Sequence, residues 1–234
     1  MDCFWHNAFG MKRDTIRWSL VVFAILALFL RAYTEQQPAP TVTFTCDFPG
    51  SDPSHYALSV SSDAHASYIS DGKLTTDAES GEPFALEFNM PQATLTRIFE
   101  LAKKSQYFQG EIDSKKKNIA STGQKTLTYK DSQRNNSANY NYSPVPAVQE
   151  LTAVFQDLSI TLEFGRRLEY DHRYQKLALD QELRGMNEVS NRGELGDVAV
   201  IAPILQKIVE DPSVVNGARA RAQRLLSQVS ASGK

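Results

Sequence analysis

Two periodicities divide the chain. Val42 to Phe48 and Tyr56 to Ser62 alternate apolar and polar residues, with Tyr56, Leu58 and Val60 on one face, so each predicts a half-buried strand. Ala66 to Ser70 predicts a third strand, entered by the turn Ser62-Asp63-Ala64-His65 and left through Asp71-Gly72, and Phe84 to Phe88 predicts a fourth. Then the period changes to that of a helix. Pro91 suits a first helical turn, and Leu95, Ile98, Phe99 and Ala102 form a stripe that ends near Phe108. The polar stretch Glu111 to Gly123 reads as a loop. Lys125 to Lys130 and Ala138 to Tyr142 predict a hairpin across the turn-forming segment Asp131 to Ser137.

From Pro146 the pattern is helical. Val148, Leu151, Phe155, Leu158 and Leu162 recur at three and four residues, continuing less regularly through Leu168, Leu177, Leu183 and Met186. Arg166 to Lys176 is mostly charged or polar, which predicts a solvated stretch of a long helix or a kink near Gly165. Asn191 to Gly196 ends this helix. Asp197 caps the next, Val198 to Glu210, and Asp211-Pro212 separates it from a last helix beginning at Ser213 and ending near Gln228.

The chain is thus expected to be α+β, in four parts: a leader over 1–34, a linker over 35–41, a small antiparallel β-rich domain with one packed helix over 42–143, and a helical region over 146–228. The last comprises a long helix over 146–190 and a hairpin over 198–228.

The leader carries the densest apolar run, Trp18 to Leu30, preceded by Lys12, Arg13 and Arg17. A basic flank before a short apolar run is the layout of a secretory signal or signal-anchor. As a helix the run spans only ~20 Å against ~30 Å of hydrocarbon, so crossing requires Ile16 and Tyr33 to extend it while Arg17 and Arg31 snorkel. Arg31 interrupts the exit, and Ala32-Tyr33-Thr34 is a mediocre cleavage site, which favours an uncleaved anchor over a cleaved leader. Membrane contact through Trp18–Leu30, with the N-terminus cytoplasmic and the bulk outside, follows from the positive-inside rule. Cleavage would instead give a secreted or periplasmic protein. Met11 opens a more conventional leader than Met1 and is the expected start.

Composition narrows the class. The 234 residues carry 41% hydrophobic and 22% charged residues, with 10 Pro, 12 Gly and 2 Cys, which excludes a disordered chain, a collagen-like repeat and a disulfide scaffold. A net charge of −2 argues against a nucleic-acid binder. Beyond the first thirty-four residues, 21 basic and 25 acidic residues remain, a mildly acidic balance of −4. With Cys3 in the leader, Cys46 is alone in the exported part, and burial in the first strand is its expected fate.

Candidate chemistry is sparse. His55 and His65 flank the second strand with Asp52 and Asp63 nearby, a pairing that suits acid–base or metal chemistry but also collects at turn ends. Tyr129, Tyr140 and Tyr142 predict either a cross-strand aromatic patch for a glycan or peptide or core packing. Glu169-x-x-His172 has the helical spacing of di-iron ligands but lacks a second copy, so it reads as a solvated face. Lys115-Lys116-Lys117 reads as a loop, and Arg219, Arg221 and Arg224 as a basic helix end. No nucleophile-elbow, zincin, P-loop, Cys-x-x-Cys or dinucleotide motif occurs. The expectation is a non-catalytic exported or anchored protein-interaction module without cofactor, its partner bound through the long helix and the helical tail. The alternatives are a ligand- or envelope-polymer-binding domain and a hydrolase with a dispersed site.

The tail carries a resemblance. Ile201-Ala202-Pro203-Ile204-Leu205, Asp211-Pro212-Ser213-Val214-Val215, Ala218-Arg219-Ala220-Arg221-Ala222 and Leu225-Leu226 resemble a single HEAT-type repeat unit. That implies one helical hairpin whose first helix faces Val214, Ala218, Ala222 and Leu225. The order of strands, Asp-Gly turn, long helix and tail is similar to uncharacterised predicted exported bacterial proteins, a resemblance that implies no activity.

Overall fold

The computed structural model describes residues 39–75, 78–116 and 118–232. The leader over 1–34, its apolar run Trp18–Leu30, the start at Met11, Cys3, Lys117 and most of the linker lie outside the described residues. Six strands are present, β1 (Thr41–Asp47), β2 (His55–Ser61), β3 (His65–Ser70), β4 (Phe84–Asn89), β5 (Gln124–Lys130) and β6 (Asn135–Tyr140). They form one antiparallel sheet in the order β4-β3-β2-β1-β5-β6. Alternation decides which face is buried: Val42, Phe44, Leu58, Val60, Tyr68 and Leu127 are fully enclosed on one side. The other side presents short hydroxyl and amide side chains, with Thr43 Oγ1 2.9 Å from Ser59 Oγ and Thr126 Oγ1 donating to Asn139.

The buried face is covered by α1 (Gln92–Lys104) and α2 (Pro146–Tyr174). The expected helix ending near Phe108 stops at Lys104. A 3-10 turn over Gln106–Phe108, all three residues at positive φ, completes the run. Helix α2 crosses the strands. Thr152 meets Tyr140 of β6, Phe155 stacks on Phe44 of β1 at 5.3 Å, and Ser159 and Glu163 reach Tyr68 of β3. These contacts recur every three or four residues, one helix face traversing the sheet.

Behind α2 lies a second helical layer of α3 (Leu179–Asn191), a 3-10 turn (Val198–Ile201), α4 (Ala202–Glu210) and α5 (Asn216–Ser232). Helix α2 is therefore covered on two sides, and Phe164, Gly165, Arg166, Leu168 and Asp171 are buried along with its sheet-facing residues. Of the stretch Arg166 to Lys176, expected to be solvated, Arg166, Leu168 and Asp171 are buried, whereas Glu169, Arg173, Tyr174 and Gln175 are exposed. The helix runs unbroken through Gly165, which lets Ile201 pack on it, since a Cβ would come 2.5 Å from Ile201 Cγ2. The long helix expected over 146–190 instead breaks at 175–178, where Leu177 is 84% exposed. Helices α4 and α5 form the expected hairpin, with Val214, Ala218, Ala222 and Leu225 buried. From Ala39 onward the sheet and helices make one compact α+β unit with a shared core. Among the described residues, no helix is long and apolar enough to cross a membrane.

Candidate functional site

The residues singled out from the sequence do not converge. His55 opens β2 opposite Asp47 of β1, its Nδ1 2.6 Å from Asp47 Oδ1, and both side chains are about half exposed. His65 opens β3 at the far end of the same open face, opposite Asn89. The antiparallel β2–β3 pairing puts a strand length between the two histidines. Tyr129 is buried with its ring 4.5 Å from that of Tyr107. Tyr140 is buried too, its hydroxyl 2.5 Å from Thr152 Oγ1. Tyr142 is 46% exposed and accepts a hydrogen bond from Gln149 Nε2. Two of the three tyrosines are thus core residues.

Other candidates are held by structural contacts. Cys46 is buried, and burial pushes its thiol up, away from the reactive thiolate. His172 Nε2 lies 3.0 Å from Asp211 Oδ2, and Glu169 Oε1 3.6 Å from Lys207 Nζ, so both members of Glu169-x-x-His172 tie α2 to the helical hairpin. Lys176 Nζ also reaches Asp211, at 2.6 Å, and together with Ser213 holds that carboxyl well below the usual range. Among the described residues, no group of three His, Cys, Asp or Glu is placed to hold a metal ion.

The feature with the geometry of a binding site is an apolar groove beside β4. This strand ends the sheet on one side. Its inward residues Phe84, Leu86 and Phe88 are only half-buried and form one wall, and Leu162, Ile201 and Ile204 form the other. The groove encloses about 330 Å³, within the roughly 300–1,000 Å³ of ordinary binding pockets. The charged residues at its border are engaged or turned outward: Glu169 Oε1 lies 3.6 Å from Lys207 Nζ, Glu87 belongs to the open face of β4, and Arg166 Nη1 and Nη2 each donate at 3.0 Å, to the carbonyls of Gly72 and Glu82, with the guanidinium 4.8 Å over the Phe84 ring.

The backbone completes the groove. Met90 N–H donates to Ala64 O at 2.8 Å, which fixes the ladder phase, so Phe88, Leu86 and Phe84 bond to β3. The N–H and C=O groups of Ala85, Glu87 and Asn89 therefore point away from the sheet, without partners among the described residues. At the opposite edge, the asparagine-rich β6 is flanked by residues 110–113, and Asn136 donates to Tyr107 O. The sequence signal for the β4 site was the Phe-x-Leu-x-Phe alternation in a short strand between Pro83 and Pro91. Gly165 and Ile201 join it only through tertiary packing.

No model of a known protein family matches the chain, and no curated protein matches it.

Proposed function

We propose that this chain is a non-catalytic, exported or membrane-anchored protein-interaction module of a bacterial envelope that captures an extended segment of a partner along β4. The supporting observation is the coincidence of a free strand edge with an apolar groove. A peptide pairing with Ala85, Glu87 and Asn89 gains main-chain hydrogen bonds, while its alternate side chains enter the groove between β4 and α4. Glu87, on the outward face of β4, favours basic residues at the peptide's outward positions. The basic-flanked apolar run Trp18–Leu30 supports an exported or anchored setting.

A direct test uses a synthetic ten-residue peptide alternating valine and lysine, titrated against the full-length protein by fluorescence anisotropy. Binding should exceed that of a valine–glutamate peptide, and Ala85→Pro should weaken it about tenfold or more, because proline removes an outward N–H while leaving the β3 ladder intact. Equal binding of both peptides, or no change with Ala85→Pro, would overturn the reading. Concentration-dependent dimerisation abolished by Ala85→Pro would make a second copy the occupant, and would equally overturn capture of a separate partner.

A further inference from the structure

Asp171 is a buried carboxylate without a hydrogen-bonding partner. It lies in the last turn of α2, is only 7% exposed, and its side chain accepts no hydrogen bond among the described residues. Both circumstances oppose a negative charge: burial strips its water, and the carbonyl end of a helix repels anions. Burial, with Glu182 adding to it and Arg167 opposing, pushes the carboxyl up to about 6. Its oxygens are not fully enclosed, so they are reached from outside through the cleft that Asp171 lines.

Asp171 lines a cleft of about 410 Å³ on the side of α2 away from the hairpin contacts of His172. Five segments build it: α2, the break at 175–178, α3, the loop that carries Asp52 and the loop that carries Lys73. Of the other charges, Arg167, Glu182 and Asp52 are already engaged, and the Lys73 ammonium also lines the cleft. Arg167 Nε donates to Glu182 Oε1 at 2.5 Å, and its guanidinium lies 4.7 Å over the Phe164 ring. Asp52 Oδ1 accepts the backbone N–H of Lys73 at 2.8 Å. Phe164 and Leu74 supply apolar walls, and Gln175 also lines the cleft.

We infer that this cleft is a binding site for a small primary ammonium ion bearing a short alkyl chain, with Asp171 as the counter-ion. The ammonium hydrogens satisfy the Asp171 carboxylate, and the alkyl portion lies against Phe164 and Leu74. The acidic balance of the cleft, Asp52, Asp171 and Glu182 against Lys73 and Arg167, favours a cation over an anion. No atom of this site lines the β4 groove, so the inference is independent of peptide capture.

The probe is n-butylammonium, titrated calorimetrically into the full-length protein at pH 7.5 and pH 5.5, with n-butyrate as the matched anion. Saturable binding of the amine alone is expected, weakened roughly 10- to 100-fold in Asp171→Asn, a near-isosteric change that keeps the fold. At pH 5.5 binding should release protons, because the ammonium draws the Asp171 carboxyl down toward the ordinary range; Lys73, Arg167, Asp52 and Glu182 are the other titratable groups facing it. Absence of saturable heat, equal binding by Asp171→Asn, or preference for n-butyrate would overturn the site. So would binding that appears only in Lys73→Gln, since it would make Lys73 the natural occupant.

Discussion

The phenolic hydroxyl of Tyr68, on β3, donates to Oε1 of Glu163, on α2, at 2.9 Å, joining positions 95 residues apart inside the core. Ser70 Oγ donates to the same oxygen at 2.5 Å, and Ser159 Oγ lies 2.9 Å from the Tyr68 hydroxyl. The second carboxyl oxygen has no hydrogen bond; it faces the Arg166 guanidinium at 3.8 Å and presses against Gly72, where a Cβ would approach to 2.5 Å. This polar cluster fixes the register of α2 on the sheet. Through Arg166 it also holds the loop that leads into β4.

Removing Glu163 should therefore be severe. Glu163→Ala leaves the Arg166 guanidinium buried without its counter-charge and should cost about 3–5 kcal/mol in urea unfolding. Tyr68→Phe removes one hydrogen bond to a charged partner and should cost about 1.5–3 kcal/mol. A loss under about 1 kcal/mol for Glu163→Ala would show that the cluster does not organise the helix–sheet contact.

Asp171 predicts a pH signature. Its carboxyl is raised to about 6 in the folded protein, above the ordinary value of about 4. Between those two values the folded state binds more protons than the unfolded state, so stability falls as pH rises through that window and stays low above it. Asp171→Asn, which mimics the neutral form, should match the parent near pH 4 and exceed it above pH 7 by up to about 3 kcal/mol. Unfolding at the two pH values compares them directly. An unchanged difference between parent and variant at both pH values would contradict the burial argument.

Gly165→Ala should destabilise by about 1–3 kcal/mol despite alanine's better helix propensity, because the new methyl overlaps Ile201 Cγ2. Ile201→Val does not relieve the clash if Cγ2 remains, whereas Ile201→Ala in the same chain should recover part of the loss. A double-mutant cycle measures the coupling. Purely additive losses would mean that Ile201 does not seat on Gly165.

Much of the architecture was readable in the chain because alternation and turn chemistry agree locally. Val42, Phe44 and Cys46 point inward from β1 as their spacing requires, and the hairpin of Val214, Ala218, Ala222 and Leu225 packs as its stripe predicts. Helix α2 misled for a physical reason. The polar stretch Arg166 to Lys176 resembles a solvated face, and Glu169, Arg173 and Gln175 are exposed, yet Arg166 is buried beneath the segment that carries Gly72 and Glu82, and Asp171 is buried as well. Pattern alone does not distinguish a covering segment from solvent. The β4 groove was hidden for a related reason: strand order decides which strand is the edge, and the Phe84, Leu86 and Phe88 alternation is the same at the edge or the centre.

Peptide capture along β4 is tested most directly by photo-cross-linking in intact cells, with a benzophenone-bearing phenylalanine analogue in place of Phe88 in the groove wall or of Ser137 on the open face of β6. The account predicts that position 88 joins one extended segment of a partner protein far more than position 137 does, and that adding Ala85→Pro abolishes the adduct. Equal cross-linking from both positions, or an adduct at 88 that survives Ala85→Pro, would contradict it.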